Sequence, residues 1–202
     1  YYEITHNKKK IIVGCAVGHL FGLTEKNKKG WTYPVYDIEW QPAHKIKKAS
    51  AFSKPYVDAL SKLSKEADEF TVATDYDIEG SVIGYNCVRF ICKKKDARRM
   101  KFSTLTKKDL VESYEHVSPH LDFPMIHAGE VRHYMDYFWG ISLSRALTLS
   151  VKSAGSFKLL YIGRVQGPAL KIVVDKEKQI QAFKPEPYWE IHLTKDDLHA
   201  EH

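Results

Sequence analysis

An α/β architecture, a sheet flanked by helices and followed by a largely helical second segment, is what this 202-residue sequence predicts. Three observations carry it. Short apolar runs, "IIVGCAV" (11–17) and "FTVATD" (70–75), alternate with stretches of helical spacing. Strands that alternate with helices argue for a sheet with at least some parallel strands. Past Ser118-Pro119 and Phe123-Pro124 the pattern changes, and long helical repeats take over.

Each element follows from local pattern. "IIVGCAV" is rich in β-branched residues and stops at Gly18, as a buried strand does. "GHLFGLTEKNKKGWTYP" (18–34) carries glycines, Asn and Pro and reads mostly as loop. "VYDIEW" (35–40) alternates like a half-buried strand. Within 54–66, Val57, Leu60 and Leu63 recur at helical intervals. "FTVATD" is the second strong strand, and a helix is expected from Glu79 to about Phe90. "RRMKFSTL" (98–105) is a third strand candidate, while Lys93–Lys95 and Arg98-Arg99 read as a solvated helix exit. Thr106 with Asp109 resembles an N-cap pair ahead of "LVESYEHV".

From Met125 to about Ser153 one long or broken helix is predicted, with Val131, Met135, Phe138 and Trp139 as its apolar positions. The Tyr and Trp residues at 137–139 read as core first and as a base-stacking platform second. "SAGS" (153–156) interrupts the pattern, and 163–183 forms another helix, where Pro168 is tolerable only near the first turn. After "KPEP" the segment "YWEIHL" reads as a strand. Boundaries near 120 and 185 therefore divide the chain into 1–120, 121–185 and 186–202.

Bulk properties narrow the class. A hydrophobic content of 44% supports a core, and 28% charged residues is ordinary for a globular protein. No run of eighteen apolar residues exists, so no membrane span is expected. The opening "YYEITHNKKK" is polar and basic, unlike a signal peptide. A formal charge of +6 leans mildly towards an anionic partner. Cys15, Cys87 and Cys92 show no CxxC spacing and read as buried free thiols. Residue 1 is not Met and a strand begins almost at once, so the sequence is expected to be a piece of a longer protein.

The chemistry concentrates in "TVATDYDIEGSVIG" (71–84). Asp75, Asp77 and Glu79 alternate at the exit of an apolar run, although like charges that close repel unless a cation intervenes. Strand alternation would put Asp75 and Asp77 on one face beyond the carboxyl edge of the sheet, where open α/β sheets place their sites. An oxygen-only ligand set suits Mg²⁺. Solvated acids, or acids favouring the positive end of the following helix, explain the same spacing. The spacing alone leaves both open.

The neighbourhood favours the first. "ATDYDIEG" (73–80) resembles the DxDxEG signature of the toprim fold, a Rossmann-like sheet with flanking helices shared by topoisomerases, primases and some nucleases. "VGHL" (17–20) is similar to the segment that precedes it in type IA DNA topoisomerases. "VRHYMDYFWGISLSRALT" (131–148) followed by "GRVQGPAL" (163–170) resembles the stretch that joins the toprim domain to the helical DNA-gripping domain of that family. Two departures stand out: Ile78 occupies the family's usual Arg position, and Gly167 replaces a Thr or Ser.

The resemblance implies a role for each matching residue. Asp75, Asp77 and Glu79 would be catalytic and hold Mg²⁺. Arg132 would contact the phosphate at the cleavage site, with Asp136 one turn along. His19, near the site, and Asp136 would also be nucleic-acid-binding, and Arg164 and Gln166 would bind the DNA backbone at a helix start. Read on spacing alone, Arg132 and Asp136 are an i,i+4 pair and Arg145 orients a helix through an ion pair.

The reaction implied is Mg²⁺-dependent cleavage, passage and religation of one strand, through a 5′-phosphotyrosine, to relax negative supercoils. Its partner would be single-stranded segments of negatively supercoiled DNA, in the cytoplasm and nucleoid-associated; no protein partner is inferable. The family's "YPRT"-type tyrosine motif occurs nowhere in the chain. Its first catalytic acid, with the first toprim strand, is expected upstream of residue 1, so these residues alone should not relax DNA. The alternative is a stand-alone toprim nuclease or nucleic-acid-binding protein. "GRVQGPAL" argues against it.

Overall fold

The structure, a computed structural model, describes residues 1–28 and 30–201. They form two compact units, Tyr1–Ile162 and the segment from Gly163 onward.

The first unit opens with a hairpin, β1 (Tyr2–His6) antiparallel to β2 (Lys9–Val13), through Asn7 and Lys8 at positive φ. The strand expected over 11–17 thus ends at Val13 and begins earlier. Nor is it buried: Val13 and Cys15 are exposed, so Cys15 is not the core thiol its apolar neighbours suggest. Next come β3 (Phe21–Glu25) and β4 (Ile38–Pro42), also antiparallel. β3 lies inside the stretch read as loop; Leu20, Phe21 and Thr24 are buried there despite the surrounding turn residues. A short helix α1 (Ala43–Ile46), a 3₁₀ stretch (Lys48–Ser53) and α2 (Lys54–Leu63) follow.

The predicted parallel pairing is present but short. β5 (Thr71–Val72) pairs in parallel with β6 (Arg98–Arg99), and α3 (Ile78–Phe90) is the crossover between them. Among the described residues the strands form two-stranded pairs rather than one continuous sheet. α4 (Lys107–Glu115) starts where the Thr106–Asp109 pattern put it, with the Asp109 amide donating to Thr106 Oγ1 at 3.3 Å.

α5 (Phe123–Ser153) runs unbroken for 31 residues, its N-terminus capped by Asp122 and opened by Pro124. Its buried positions are Ile126, Gly129 and Thr148, whereas Val131, Met135 and Trp139 are exposed. Trp139 is therefore not a core residue. α5 crosses α3 at Gly129, where a Cβ would lie 2.4 Å from Val82 Cγ2 and 2.8 Å from the Ile78 carbonyl. Only glycine permits that approach, and it brings the next turn of α5 up to the start of α3.

Two small apolar clusters hold this unit: Val72, Val88, Leu121 and Ile126 between β5, α3 and α5, and Leu20, Phe21 and Ile91 against Trp40, Tyr56 and Leu60. Arg145 ties α5 to β3 through a forked pair with Glu25, and also donates to the Thr32 carbonyl at 2.8 Å. The structural reading of Arg145 is the one the geometry shows.

The second unit contains α6 (Gln166–Ala182) and the hairpin β7 (His192–Lys195) with β8 (Leu198–Glu201). The strand read into "YWEIHL" thus starts only at His192. No helix among the described residues is long and apolar enough to cross a membrane.

Candidate active site

The acidic residues sit not on a strand but on the loop between β5 and α3. β5 ends at Val72, and Asp77 is the N-cap of α3, its Oδ1 accepting from the Gly80 amide at 2.6 Å. Such a cap satisfies one orphan N–H and places negative charge at the positive end of the helix dipole. Asp75, Tyr76 and Asp77 are exposed, and together with residues 102–105 they line an open cleft of about 430 Å³. Both aspartates therefore border one cleft, although strand alternation is not what puts them there.

The loop is fixed from within. Arg99 is 1% exposed, and its guanidinium donates to the carbonyls of Thr74 at 2.8 Å, Asp75 at 2.7 Å, Met100 at 3.1 Å and Val72 at 3.3 Å. Far from a solvated helix exit, it is the internal clamp of the acidic loop. Burial pulls its pKa down, opposed by Tyr76, Asp122, Asp77 and Asp75. Gly80 completes the turn, because a Cβ there would lie 2.3 Å from the Asp75 carbonyl oxygen. Thr74 Oγ1 donates to the Gly80 carbonyl at 2.7 Å. On the outer side, Tyr76 donates to Asp122 at 2.9 Å, and the Lys101 ammonium stands 4.7 Å from its ring centre.

Glu79, in the first turn of α3, faces another set of partners. Its Oε2 lies 3.0 Å from His19 Nε2 and 3.0 Å from His133 Nε2, and its Oε1 lies 3.3 Å from Arg132. Arg132 also approaches Asp136 at 3.9 Å along α5. The two imidazoles meet edge to face at 4.9 Å, and Trp40 packs against His133 at 5.5 Å while donating to Tyr134 at 3.0 Å. Burial and the neighbouring His133 lower the His19 pKa, and the Glu79 carboxylate opposes them. Thus His19, Glu79, Arg132 and Asp136 come together, with Asp75 and Asp77 on the adjoining loop.

Arg164 and Gln166 belong to the second unit. Both are exposed, and Gln166 opens α6, whose N-terminus has no side-chain cap.

Sequence reasoning missed His133, Arg99 and the Tyr76–Asp122 link. His133 follows Arg132 directly, and helical projection from a glycine contact at 129 would have placed it one turn along, near α3. Nothing in "RRMKF" marks one arginine as buried.

The donors at the cleft suit a hard cation. Asp75 and Asp77 offer only oxygens, Asp77 keeps one carboxylate oxygen beyond its cap bond, and the opening has room for waters and a phosphate. Mg²⁺ fits this set.

Two known families match successive parts of the chain. The family described as Toprim domain matches residues 6–105, and the family described as DNA topoisomerase matches 120–201. DNA topoisomerase 1 of Methanocaldococcus jannaschii is 48% identical over 204 residues, covering 100% of this chain and 26% of that protein. The Pyrococcus furiosus DNA topoisomerase 1 is 48% identical over 196 residues, covering 96% of this chain and 18% of its own length. The full-length topoisomerase I structure from Thermotoga maritima superposes with a TM-score of 0.64 at 26% identity, over 92% of this chain and 29% of that one. The chain thus spans about a quarter or less of the length of these two curated relatives. With an acidic loop clamped beside a Glu–Arg–His cluster, and both family matches in order along one chain, the protein belongs to the toprim-containing DNA topoisomerase family.

Proposed function

We propose that these residues are the toprim part and adjoining helical start of a type IA DNA topoisomerase, acting on single-stranded segments of negatively supercoiled DNA. Residues 1–120 are assigned to the toprim domain, 121–185 to the helical DNA-binding domain and 186–202 to the start of a further β segment. One observation carries the reading. The exposed pair Asp75 and Asp77 shares a cleft at the start of α3, and one turn on Glu79 meets Arg132, an arginine delivered by the following helical segment. Carboxylates for a cation and a guanidinium for a phosphate are what phosphodiester chemistry needs together.

In the proposed reaction a tyrosine hydroxyl, supplied from outside these residues, attacks the scissile phosphorus. A P–O bond to that tyrosine forms, releasing the hydroxyl proton, as the bond to the 3′ oxygen breaks and the 3′ oxygen takes up a proton, so the step is proton-neutral overall. Strand passage follows, and the reverse displacement reseals the backbone with its bond energy conserved. Asp75, Asp77 and Glu79 are the residues that would hold Mg²⁺, which supplies charge stabilisation at the phosphoryl oxygens when bound. Arg132 contacts the phosphate at the cleavage site, and Asp136 orients Arg132. His19 fixes the Glu79 carboxylate, while Arg164 and Gln166 contact backbone phosphates at the start of α6.

Fluorescence anisotropy with an oligothymidylate tests the reading. Binding is expected to be weak and to fall steeply between about 50 and 200 mM salt, as counterion release demands. Arg132→Ala should lower the salt slope by about one. An unchanged slope would remove Arg132 from the DNA contacts, and relaxation of supercoiled plasmid by the chain alone would overturn the assignment of the nucleophile.

A further inference from the structure

We propose that His19, Glu79 and His133 form a second cation site, chemically distinct from the Asp75–Asp77 cleft, that takes a borderline transition-metal ion of the Zn²⁺ class rather than Mg²⁺. Among the described residues this is the group of His, Cys, Asp or Glu side chains in which three ligand atoms lie within 4.8 Å of one another. The two Nε2 atoms each stand 3.0 Å from the same carboxylate oxygen. Tetrahedral coordination at ordinary Zn–N and Zn–O lengths would set ligand atoms about 3.3 Å apart. Each nitrogen-to-oxygen distance thus needs only a few tenths of an ångström of opening to reach ligand spacing, and the two nitrogens lie within 4.8 Å of each other.

The ligands are held in advance by three separate elements: the turn before β3 carries His19, the first turn of α3 carries Glu79, and α5 carries His133. Close contact at Gly129 keeps α5 against α3, so the site does not depend on a flexible loop alone. Arg132, paired with Oε1, leaves Oε2 to the imidazoles and would fix the carboxylate's orientation from its other oxygen. His19 Nδ1 has no partner, so no second hydrogen bond locks its ring in the tautomer that protonates Nε2. The three side chains are 34%, 32% and 28% accessible, open enough for an ion to enter and for water to complete the coordination. Two imidazoles and one carboxylate suit Zn²⁺ or Co²⁺ and poorly suit Mg²⁺, which prefers all-oxygen sites.

Occupancy has a consequence that rests on the proposed Mg²⁺ set, whereas binding itself does not. Glu79 belongs to both sites, so an ion held by the histidines withdraws it from the acidic cleft. A Zn²⁺-class ion should then inhibit Mg²⁺-dependent chemistry.

The test is a titration of the chain with Co²⁺, read by its visible absorption. One equivalent should produce the band of a four- or five-coordinate ion, displaced by Zn²⁺ and untouched by millimolar Mg²⁺. His19→Gln and His133→Gln should each weaken it by at least the roughly 10–100-fold typical of even outer-shell changes, and Asp75→Asn should leave it in place. A band that survives both histidine substitutions, or disappears with Asp75→Asn, overturns the proposal. Should the histidine variants fail to fold, NMR of the parent decides: Zn²⁺ must move the ring resonances of His19 and His133, and unmoved rings refute the site.

Discussion

The guanidinium of Arg99, in β6, donates to the main-chain carbonyl of Asp75 at 2.7 Å. The strand paired in parallel with β5 therefore holds the acidic loop by its backbone and leaves the Asp75 side chain exposed to the cleft. Rigid support for a solvent-facing ligand is what a cation or phosphate site requires, since a ligand free to swing must be ordered on binding.

The first prediction concerns that clamp. Arg99→Met strips four carbonyls of a shared donor, and each buried acceptor left short costs about 1–3 kcal/mol. Because the Val72 carbonyl also accepts from the Met100 amide and the Asp75 loop is open to water, a net loss of about 3 kcal/mol is expected. Arg99→Lys should recover only part of it, because a point ammonium cannot reproduce the planar fork. Urea denaturation measures both. A change within about 0.5 kcal/mol, typical of a surface residue, would mean the side chain is solvated after all.

Gly80 offers a sign test. In an ordinary helix Gly→Ala stabilises by up to about 1 kcal/mol. Here the new Cβ would meet the Asp75 carbonyl oxygen at 2.3 Å and Asp77 Oδ1 at 3.1 Å. Gly80→Ala should destabilise by about 1–3 kcal/mol, the range for forced overpacking, and should displace the acidic loop. Gly140→Ala in α5 is the control, since its Cβ would find ordinary contact with the Ile162 carbonyl at 3.6 Å. Equal effects at the two positions would remove the close approach as the reason for the glycine.

Legibility in the sequence tracked how local each cause is. α2, α3 and α4 were legible because apolar spacing and caps such as Thr106 act within one or two turns, whereas α5 was legible as a helix but not in the side it buries. β3 was not: its burial comes from Ile91 and Trp40, which lie far away in the chain. The acids of "DYDIEG" were legible as a candidate site, yet their geometry was not. A period-2 strand and a capping loop both put acids two apart, and only the short β5 distinguishes them. Arg99 and His133 escaped because their partners, the 72–75 carbonyls and Glu79, are 24 to 54 residues distant.

Acid should weaken the fold through His19. Its pKa is lowered by burial and by His133, against the pull of Glu79. The unfolded value is about 6.5, so between the folded and unfolded values the unfolded state binds more protons and stability rises with pH. No penalty exists above about pH 6.5, and it grows as pH falls below that value towards the lowered folded one. Denaturation midpoints for the parent and His19→Gln, measured from about pH 7.5 to 5.5, check this. The parent should lose stability on acidification and the variant should lose less; parallel curves would exclude His19 as a source.

The last prediction turns on the double duty of Asp77. Its Oδ1 caps α3 by accepting from the Gly80 amide, while the rest of the carboxylate faces the cleft beside Asp75. Asp77→Asn keeps an acceptor for the cap, since Asn and Asp serve almost equally as N-cap residues. The substitution loses the favourable charge at the helix start, about 0.3–1 kcal/mol, and relieves repulsion with Asp75 by a similar screened amount. In EDTA the two effects should nearly cancel, leaving stability within about 0.5 kcal/mol of the parent. Mg²⁺ separates them: an ion that binds only the folded state raises the melting temperature by mass action, and more so where its ligand set is intact. Melting of both proteins in EDTA and in millimolar Mg²⁺ should therefore show a rise for the parent and little or none for the variant. Equal rises would show that Asp77 caps the helix without holding the cation, and that Mg²⁺ binds the folded chain through other ligands.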